Sequence, residues 1–157
     1  MRSSPRLTRA RPEHVPALAR FEQRAFTGVY ARHRFTEQQF RYFLSAPRTI
    51  AQVVTDGSSI LGYSLGIRYS GRLSHMARLY SIAVDPERRR GGIGHMLMAG
   101  FLRASRQRGC RVVVLEVAAA RRSARTLFAR HGFGSWKSLP DYYGPGVHGL
   151  RLRRILG

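Results

Sequence analysis

Between Val84 and Gly94 the chain runs through Asp85, Pro86 and Glu87, then Arg88, Arg89 and Arg90, then Gly91, Gly92 and Ile93. A β-branched apolar stretch ends here and an amphipathic helical pattern begins, so the arginines and glycines sit at a strand-to-helix junction. The first turn of a helix leaves its N–H groups without intrahelical partners and carries a partial positive charge. Glycine lets such a backbone approach an anion closely, and arginine adds charge-assisted hydrogen bonds. Residues of these types in this order can cradle a phosphate or diphosphate; the alternative is a solvated basic turn. Two phosphate motifs are excluded. A dinucleotide fingerprint needs a third glycine where Leu97 stands, and the Gly-Lys-Ser/Thr ending of a P-loop is absent.

Glu116 is the second residue that could do chemistry. It follows Val112, Val113, Val114 and Leu115 and precedes Val117, a run that reads as a buried central strand. Alternation places it on the same face as Val112 and Val114, an unfavourable place for a carboxylate unless it is paired or has a task. It is either a base or a structural partner of one of the many arginines. Tyr142 and Tyr143 lie in a loop from Leu139 to Gly146 and either line a channel or pack on a sheet edge. His95, at the helix start, is either a surface residue or a ligand. Phe26, Tyr30, Phe35, Phe40, Tyr42 and Phe43 read as core packing. No grouping of His, Asp and Glu has metal spacing and no serine has a nucleophile-elbow context, so no metal is expected.

The elements that must position these residues follow from periodicity. Arg6 to Ala10 reads as a short strand, and Pro12 opens a helix carrying Val15, Leu18, Ala19, Phe21 and Phe26 on one face. Thr36 with Gln39 forms a capping box for a second helix that ends before Pro47. Strands over 49–55 and 60–69 are joined at Asp56 and Gly57 as a hairpin. A third strand covers 76–84, and a helix over 93–108 ends at Gly109 in a left-handed cap. The strand at 112–117, a helix over 123–131 capped by Gly132, and strands at 134–137 and 147–155 complete the order. The pattern is an α/β domain with a mixed sheet over residues 6–157, preceded by a frayed tail at 1–5.

A chain of 157 residues fits one domain with its own core. One cysteine, Cys110, excludes a disulfide framework and agrees with a reducing cytoplasm. No apolar run reaches the roughly 20 residues that span a bilayer, so no membrane association is expected. Against 8 acidic residues stand 28 basic ones, a net charge of +20, and Lys137 is the only lysine. Such a field attracts polyanions, including nucleic acid, ribosomal RNA, phosphorylated cofactors and acidic peptides.

Arg89, Gly92 and Gly94, spaced Arg-x-x-Gly-x-Gly after a strand ending Ile82, Ala83, Val84, Asp85 and Pro86, resemble the coenzyme A signature of the GNAT superfamily of N-acetyltransferases. The likeness continues through Leu115, Glu116 and Val117 and through Ala124 to Phe133. The loop containing Asp141, Tyr142, Tyr143, Gly144 and Gly146 is similar to that of the RimI-like branch, which acetylates protein N-terminal amines. The resemblance is carried by about Leu79 to Gly146; the first 50 residues match only in the order of elements. It implies a single GNAT-type domain, with a mixed, mostly antiparallel sheet of six to seven strands flanked by about four helices.

The same resemblance implies acetyl-CoA as co-substrate. Its pantetheine arm would lie beside Ile82, Ala83 and Val84, and its diphosphate on the N–H groups of Arg89, Arg90, Gly91, Gly92, Ile93, Gly94 and His95. Glu116 would take the proton of the acceptor amine through water, and the amine would attack the thioester directly. Tyr142 and Tyr143 would line the acceptor channel, and the acceptor would be a peptide or protein N-terminus. Two positions depart from the family pattern. Its general-acid tyrosine is here Phe128, which has no proton to give, so that Tyr142, Tyr143 or water would have to serve as the catalytic acid, and its coenzyme-binding asparagine is here Arg121. A coenzyme A-binding module on ribosomes or nucleic acid is therefore a second reading, and a small polyanionic or antibiotic-like amine is a second acceptor class.

Overall fold

A computed structural model describes residues 4–157. Of the tail expected over 1–5, the first three residues lie outside the described residues; Ser4 and Pro5 are exposed and lead into the first strand. The strands are β1 (Arg6–Arg9), β2 (Thr49–Asp56), β3 (Ser59–Arg68), β4 (Met76–Val84), β5 (Val112–Ala118), β6 (Gly134–Leu139) and β7 (Gly149–Ile155). The α-helices are α1 (Val15–Ala25), α2 (Glu37–Ser45), α3 (Ile93–Gln107) and α4 (Arg122–Arg130). A 3-10 helix over Gly28–His33 links α1 to α2. Among the described residues, no helix is long and apolar enough to cross a membrane.

Local chemistry explains the boundaries. The Thr36 hydroxyl accepts the Gln39 N–H at 3.1 Å, and the Thr36 N–H donates to Gln39 Oε1 at 2.8 Å, so the capping box forms at the head of α2. Gly57 takes φ of +63° at the first position of the β2–β3 turn, where a two-residue hairpin loop demands it. The last strand starts at Gly149 rather than Val147. The loop before it closes on itself, with the Tyr143 N–H donating to the Val147 carbonyl and the Val147 N–H to that of Gly144.

The seven strands form one sheet in the order β1-β2-β3-β4-β5-β7-β6. Only β4 and β5 are parallel; the other neighbours are antiparallel. The sheet has helices on both faces. One core joins α3 and α4 to the sheet through Met98, Phe101, Leu102, Phe128, Leu79, Val113, Leu115 and Val117. On the opposite face a second core joins α1 and α2 to β2, β3 and β4 through Leu18, Phe21, Phe40, Val53, Tyr63 and Leu65. Because α1 and α2 cover only that half, the same face of β5, β7 and β6 stays open, and Trp136, Tyr142 and Ile155 are exposed there.

Candidate active site

The parallel pair β4–β5 holds its register only from Met76/Val112 to Leu79/Leu115. Beyond it each strand continues without the other, β4 to Val84 and β5 to Ala118. The divergence starts at a bulge: Leu65 of β3 pairs with Ser81 and Gly66 with Leu79, leaving Tyr80 as an extra residue. A bulge increases local twist, which turns the end of β4 away from β5. A cavity of about 130 Å³ occupies the wedge, with Ser81, Ile82, Glu116, Arg121, Phe128 and Tyr143 in its wall. The Asp85 N–H donates to the Leu61 carbonyl of β3 at 2.8 Å. Alternation along an antiparallel pair therefore turns the backbone N–H and C=O groups of Ile82 and Val84 away from β3, towards the wedge. Ala83 is buried, its side chain turned into the α1–α2 core.

The head of α3 stands at the end of the wedge. Gly92 is its N-cap with φ of +82°, and no side chain caps the helix. The first hydrogen bond of the helix runs from the Met96 N–H to the Gly92 carbonyl at 3.0 Å. Among the described residues nothing accepts from the N–H groups of Ile93, Gly94 and His95. Three adjacent unpaired donors at a helix start are a site for an anion. Arg90 is also held at φ of +72°, a left-handed conformation that a residue with a Cβ adopts at some cost in energy. The arginines differ: Arg88 lies 3.6 Å from Asp56, whereas Arg89 and Arg90 are exposed and meet no carboxylate among the described residues. His95 does not turn to the helix start but to His131, with Nδ1 3.0 Å from Nε2.

Glu116 lies on the face of β5 that looks towards α1 and α2. Its side chain is 6% exposed, forms an ion pair with Arg78 of β4, and lies 3.6 Å from Arg151 of β7. The pairing expected as one alternative is thus present, on a carboxylate that still lines the cavity. The two loop tyrosines separate. Tyr143 lines the cavity and packs edge-on against Tyr30 and His33 of the α1–α2 link. Burial, with Tyr142 and Glu116 adding to it, pushes the Tyr143 phenol well above its ordinary pKa, so it stays protonated. Tyr142 is exposed and reaches the Arg78 guanidinium at 3.4 Å, outside the cavity wall.

Comparison with known proteins gives this arrangement its setting. The family model described as Acetyltransferase (GNAT) family matches residues 15–133. The chain belongs to the GNAT acetyltransferase family. The [ribosomal protein bS18]-alanine N-acetyltransferase of Escherichia coli strain K12 is 28% identical over 138 residues, which cover 82% of this chain and 80% of that protein. The crystal structure of the E. coli ribosomal-protein-S18-alanine N-acetyltransferase superposes with a TM-score of 0.84 at 21% identity, covering 98% of this chain and 95% of that one. PaiA N-acetyltransferase from Thermoplasma acidophilum, solved in complex with coenzyme A, superposes with a TM-score of 0.79 at 13% identity over 97% of this chain and 99% of that chain.

As a GNAT N-acetyltransferase, the protein uses acetyl-CoA as its acyl donor. Its residues fit that substrate on two counts: the α3 start offers unpaired N–H groups for a diphosphate, and the β4 edge offers unpaired backbone groups along the wedge. Both family departures line the cavity. Phe128 is buried, its ring edge-on to Phe133 with centroids 5.9 Å apart. Arg121 lies over the rings of Phe26 and Tyr30, at 5.9 and 5.4 Å from their centroids. Burial lowers the Arg121 pKa, with Tyr30 opposing and Arg89 adding to the effect.

Sequence reading missed the polar residues behind the wall of the cavity. Glu22 of α1 is buried, and so is Tyr63 of β3. One signal was available. Glu22 stands four residues after Leu18 and seven after Val15, a carboxylate inside the apolar stripe of an amphipathic helix. Arg78 and Arg151 gave none, because nothing distinguishes them from the other strand arginines.

Proposed function

We propose that the protein transfers the acetyl group of acetyl-CoA to a primary amine, most readily the N-terminal α-amine of a peptide or protein. The observation that carries this reading is the wedge between β4 and β5. It joins an uncapped, arginine-flanked helix start to a carboxylate on the opposite face of the sheet. In this reading Arg89, Arg90, Gly91, Gly92, Ile93, Gly94 and His95 hold the diphosphate. Ile82, Ala83 and Val84 flank the pantetheine arm. The amine enters from the open face, between the Gly28–His33 link and the loop bearing Tyr142 and Tyr143. Glu116, fixed by Arg78 and Arg151, takes a proton from the incoming ammonium through water. The E. coli relative named for the alanine of ribosomal protein bS18 supports a protein acceptor. The excess of arginine supports acidic acceptors, or a ribosome or other polyanion as docking partner, and the single cysteine agrees with a place in the cytoplasm.

The test is thiol release from acetyl-CoA in the presence of a panel of peptides and small amines, with product mass identifying the modified nitrogen. Turnover on peptide N-termini, reduced about 10²-fold or more by Glu116→Gln, is the expected result. Coenzyme binding with no turnover on any amine would instead support a binding module. Full turnover by the glutamine variant would remove Glu116 as base.

A further inference from the structure

Behind the acceptor-side wall of the wedge lies a second carboxylate that the reaction above does not use. Glu22 is 1% exposed and comes from α1. Its Oε1 accepts the Tyr63 hydroxyl at 2.6 Å, and its Oε2 accepts the Phe35 N–H at 2.8 Å. The Tyr63 oxygen lies in turn 2.9 Å from the Ser81 hydroxyl. Ser81 is in the cavity wall, immediately after the bulge at Tyr80. Its side chain points to the same sheet face as those of Leu65 and Glu116. A hydroxyl and a carboxylate thus flank the mouth of the wedge on the acceptor side, and the hydroxyl is the end of a three-residue chain of hydrogen bonds.

The chain opens on the cavity through Ser81. Tyr63 is also 1% exposed, so the carboxylate and the phenol are both shielded from solvent. The charged group that acts on the carboxylate is Arg34, whose guanidinium is itself bonded to the Phe26 carbonyl at 2.6 Å and to Gln23. Burial, partly offset by Tyr63, the Phe35 N–H and Arg34, raises the Glu22 pKa and so brings the carboxylate closer to accepting a proton.

Acetyl transfer to an ammonium gives such a store a task. Two protons must leave the nitrogen and one must reach the sulfur. Resting on the acetyl transfer proposed above, we propose that Ser81, Tyr63 and Glu22 form a proton shuttle that takes the second proton from the acceptor nitrogen and returns it to the departing sulfur. Glu116 removes the first proton and passes it to solvent. When the free amine attacks, the N–C bond forms and the carbonyl electrons move to oxygen. The added nitrogen gives a proton to Ser81 Oγ, the Ser81 proton moves to Tyr63, and the Tyr63 proton moves to Glu22. When the C–S bond breaks and the C=O bond re-forms, the chain runs backwards and Ser81 protonates the thiolate. The balance is one ammonium and one thioester in, one amide, one thiol and one proton out. The shuttle performs the task that Phe128 cannot, because that ring has no proton to give.

Ser81→Ala cuts the chain at its mouth and leaves the Glu22–Tyr63 and Glu22–Phe35 bonds intact. Tyr63→Phe cuts it in the middle and keeps the Glu22–Phe35 bond. The shuttle predicts that each lowers kcat about 10²-fold with KM for both substrates nearly unchanged. The double variant should be no slower than either single one, because one wire is cut either way. Ser81→Thr, which keeps the hydroxyl, should restore most of the rate, and the solvent deuterium isotope effect on kcat should change in Ser81→Ala but not in Ser81→Thr. A Ser81→Ala enzyme within about threefold of wild type overturns the shuttle. So do effects of Ser81→Ala and Tyr63→Phe that multiply, or a loss that falls on KM alone, which is what a purely structural pin between α1 and β3 would give. If wild-type protein turns over no amine at all, the acetyl-transfer reading fails first, and the two failures are told apart.

Discussion

Replacing Phe128 by tyrosine adds one oxygen at the end of a ring that is 3% exposed yet forms part of the cavity wall. The position decides the energetics. An oxygen turned into the core beside Phe133 would lose its water without gaining a partner, at about 1–3 kcal/mol. In a domain of this size each kcal/mol lowers Tm by roughly 2–4 °C, so a melting point lower by about 2–12 °C would report that outcome. An oxygen turned into the wedge keeps access to water or sulfur, and Tm should move by less than about 2 °C. The cavity contact favours the second outcome.

The kinetic magnitude then depends on what already supplies the proton. A missing general acid is worth about 10²–10⁴ in rate. With the Ser81 shuttle intact, Phe128→Tyr should change kcat by no more than a few-fold, since the sulfur is already served. Introduced into Ser81→Ala, it should recover at least about tenfold of the lost rate, because the phenol offers a second donor. The assay is thiol release at saturating acetyl-CoA and peptide, with melting curves on the same four proteins. Recovery absent while Tm is unchanged would show that sulfur protonation is not the step lost in Ser81→Ala. A loss of tenfold in both backgrounds with a large fall in Tm would show that the ring edge faces the core, not the wedge.

Gly66→Ala should be among the most damaging single substitutions outside the site: its Cβ would sit 2.2 Å from the Arg78 carbonyl oxygen and 2.7 Å from the Phe101 ring. Neither backbone nor buried ring can give way, so a loss of about 3 kcal/mol or more in denaturant titration is expected, and a loss below about 1 kcal/mol would contradict the packing. Burial, with His95 and Arg154 adding to it, lowers the His131 pKa, so between about pH 6.5 and that lower value the unfolded chain binds a proton the folded one resists. Stability should therefore fall as pH drops below about 6.5, and His131→Asn should flatten that slope in paired melts; an unchanged slope would refute the assignment.

Elements specified by neighbouring residues were legible in the sequence. Thr36 and Gln39 are three apart and cap α2 as expected, and Gly109 and Gly132 both take φ of +83° after their helices. The α3 start was legible for the same reason, since its strand end, turn and helix lie within a dozen residues. What stayed hidden needed the sheet. Glu116 and Arg78 are 38 residues apart, Glu22 and Tyr63 are 41 apart, and each meeting depends on which strand lies beside which. With arginine so abundant, no pattern could single out the two that meet Glu116. Tyr142 and Tyr143 are adjacent and chemically alike; only the closing bonds of the loop, Tyr143 to Val147 and Val147 to Gly144, decide which ring faces the wedge.

The proposed preference for α-amines follows from the charge around the wedge. Arg78, Arg121 and Arg151 lie beside the acceptor path, with Glu116 the single carboxylate among the cavity-wall residues. A cationic surround disfavours an ammonium and favours the neutral amine that attacks. Free α-amines have a pKa near 7.7–8.0 and lysine near 10.4, so at pH 7 an N-terminus holds a few hundred times more free base than a lysine, about 10^2.5-fold. Turnover of a peptide with one free N-terminus should exceed that of its N-blocked, lysine-bearing counterpart by about this factor. The N-terminal rate should level off near pH 8, while the lysine rate keeps rising towards pH 10. Replacing Arg151 by glutamine should narrow the gap, since it relieves the repulsion that weighs most on the amine with the greater share of charge. Equal rates on the two peptides at pH 7 would show that the wedge does not select by amine basicity, and that contacts to the peptide beyond its nitrogen decide the acceptor.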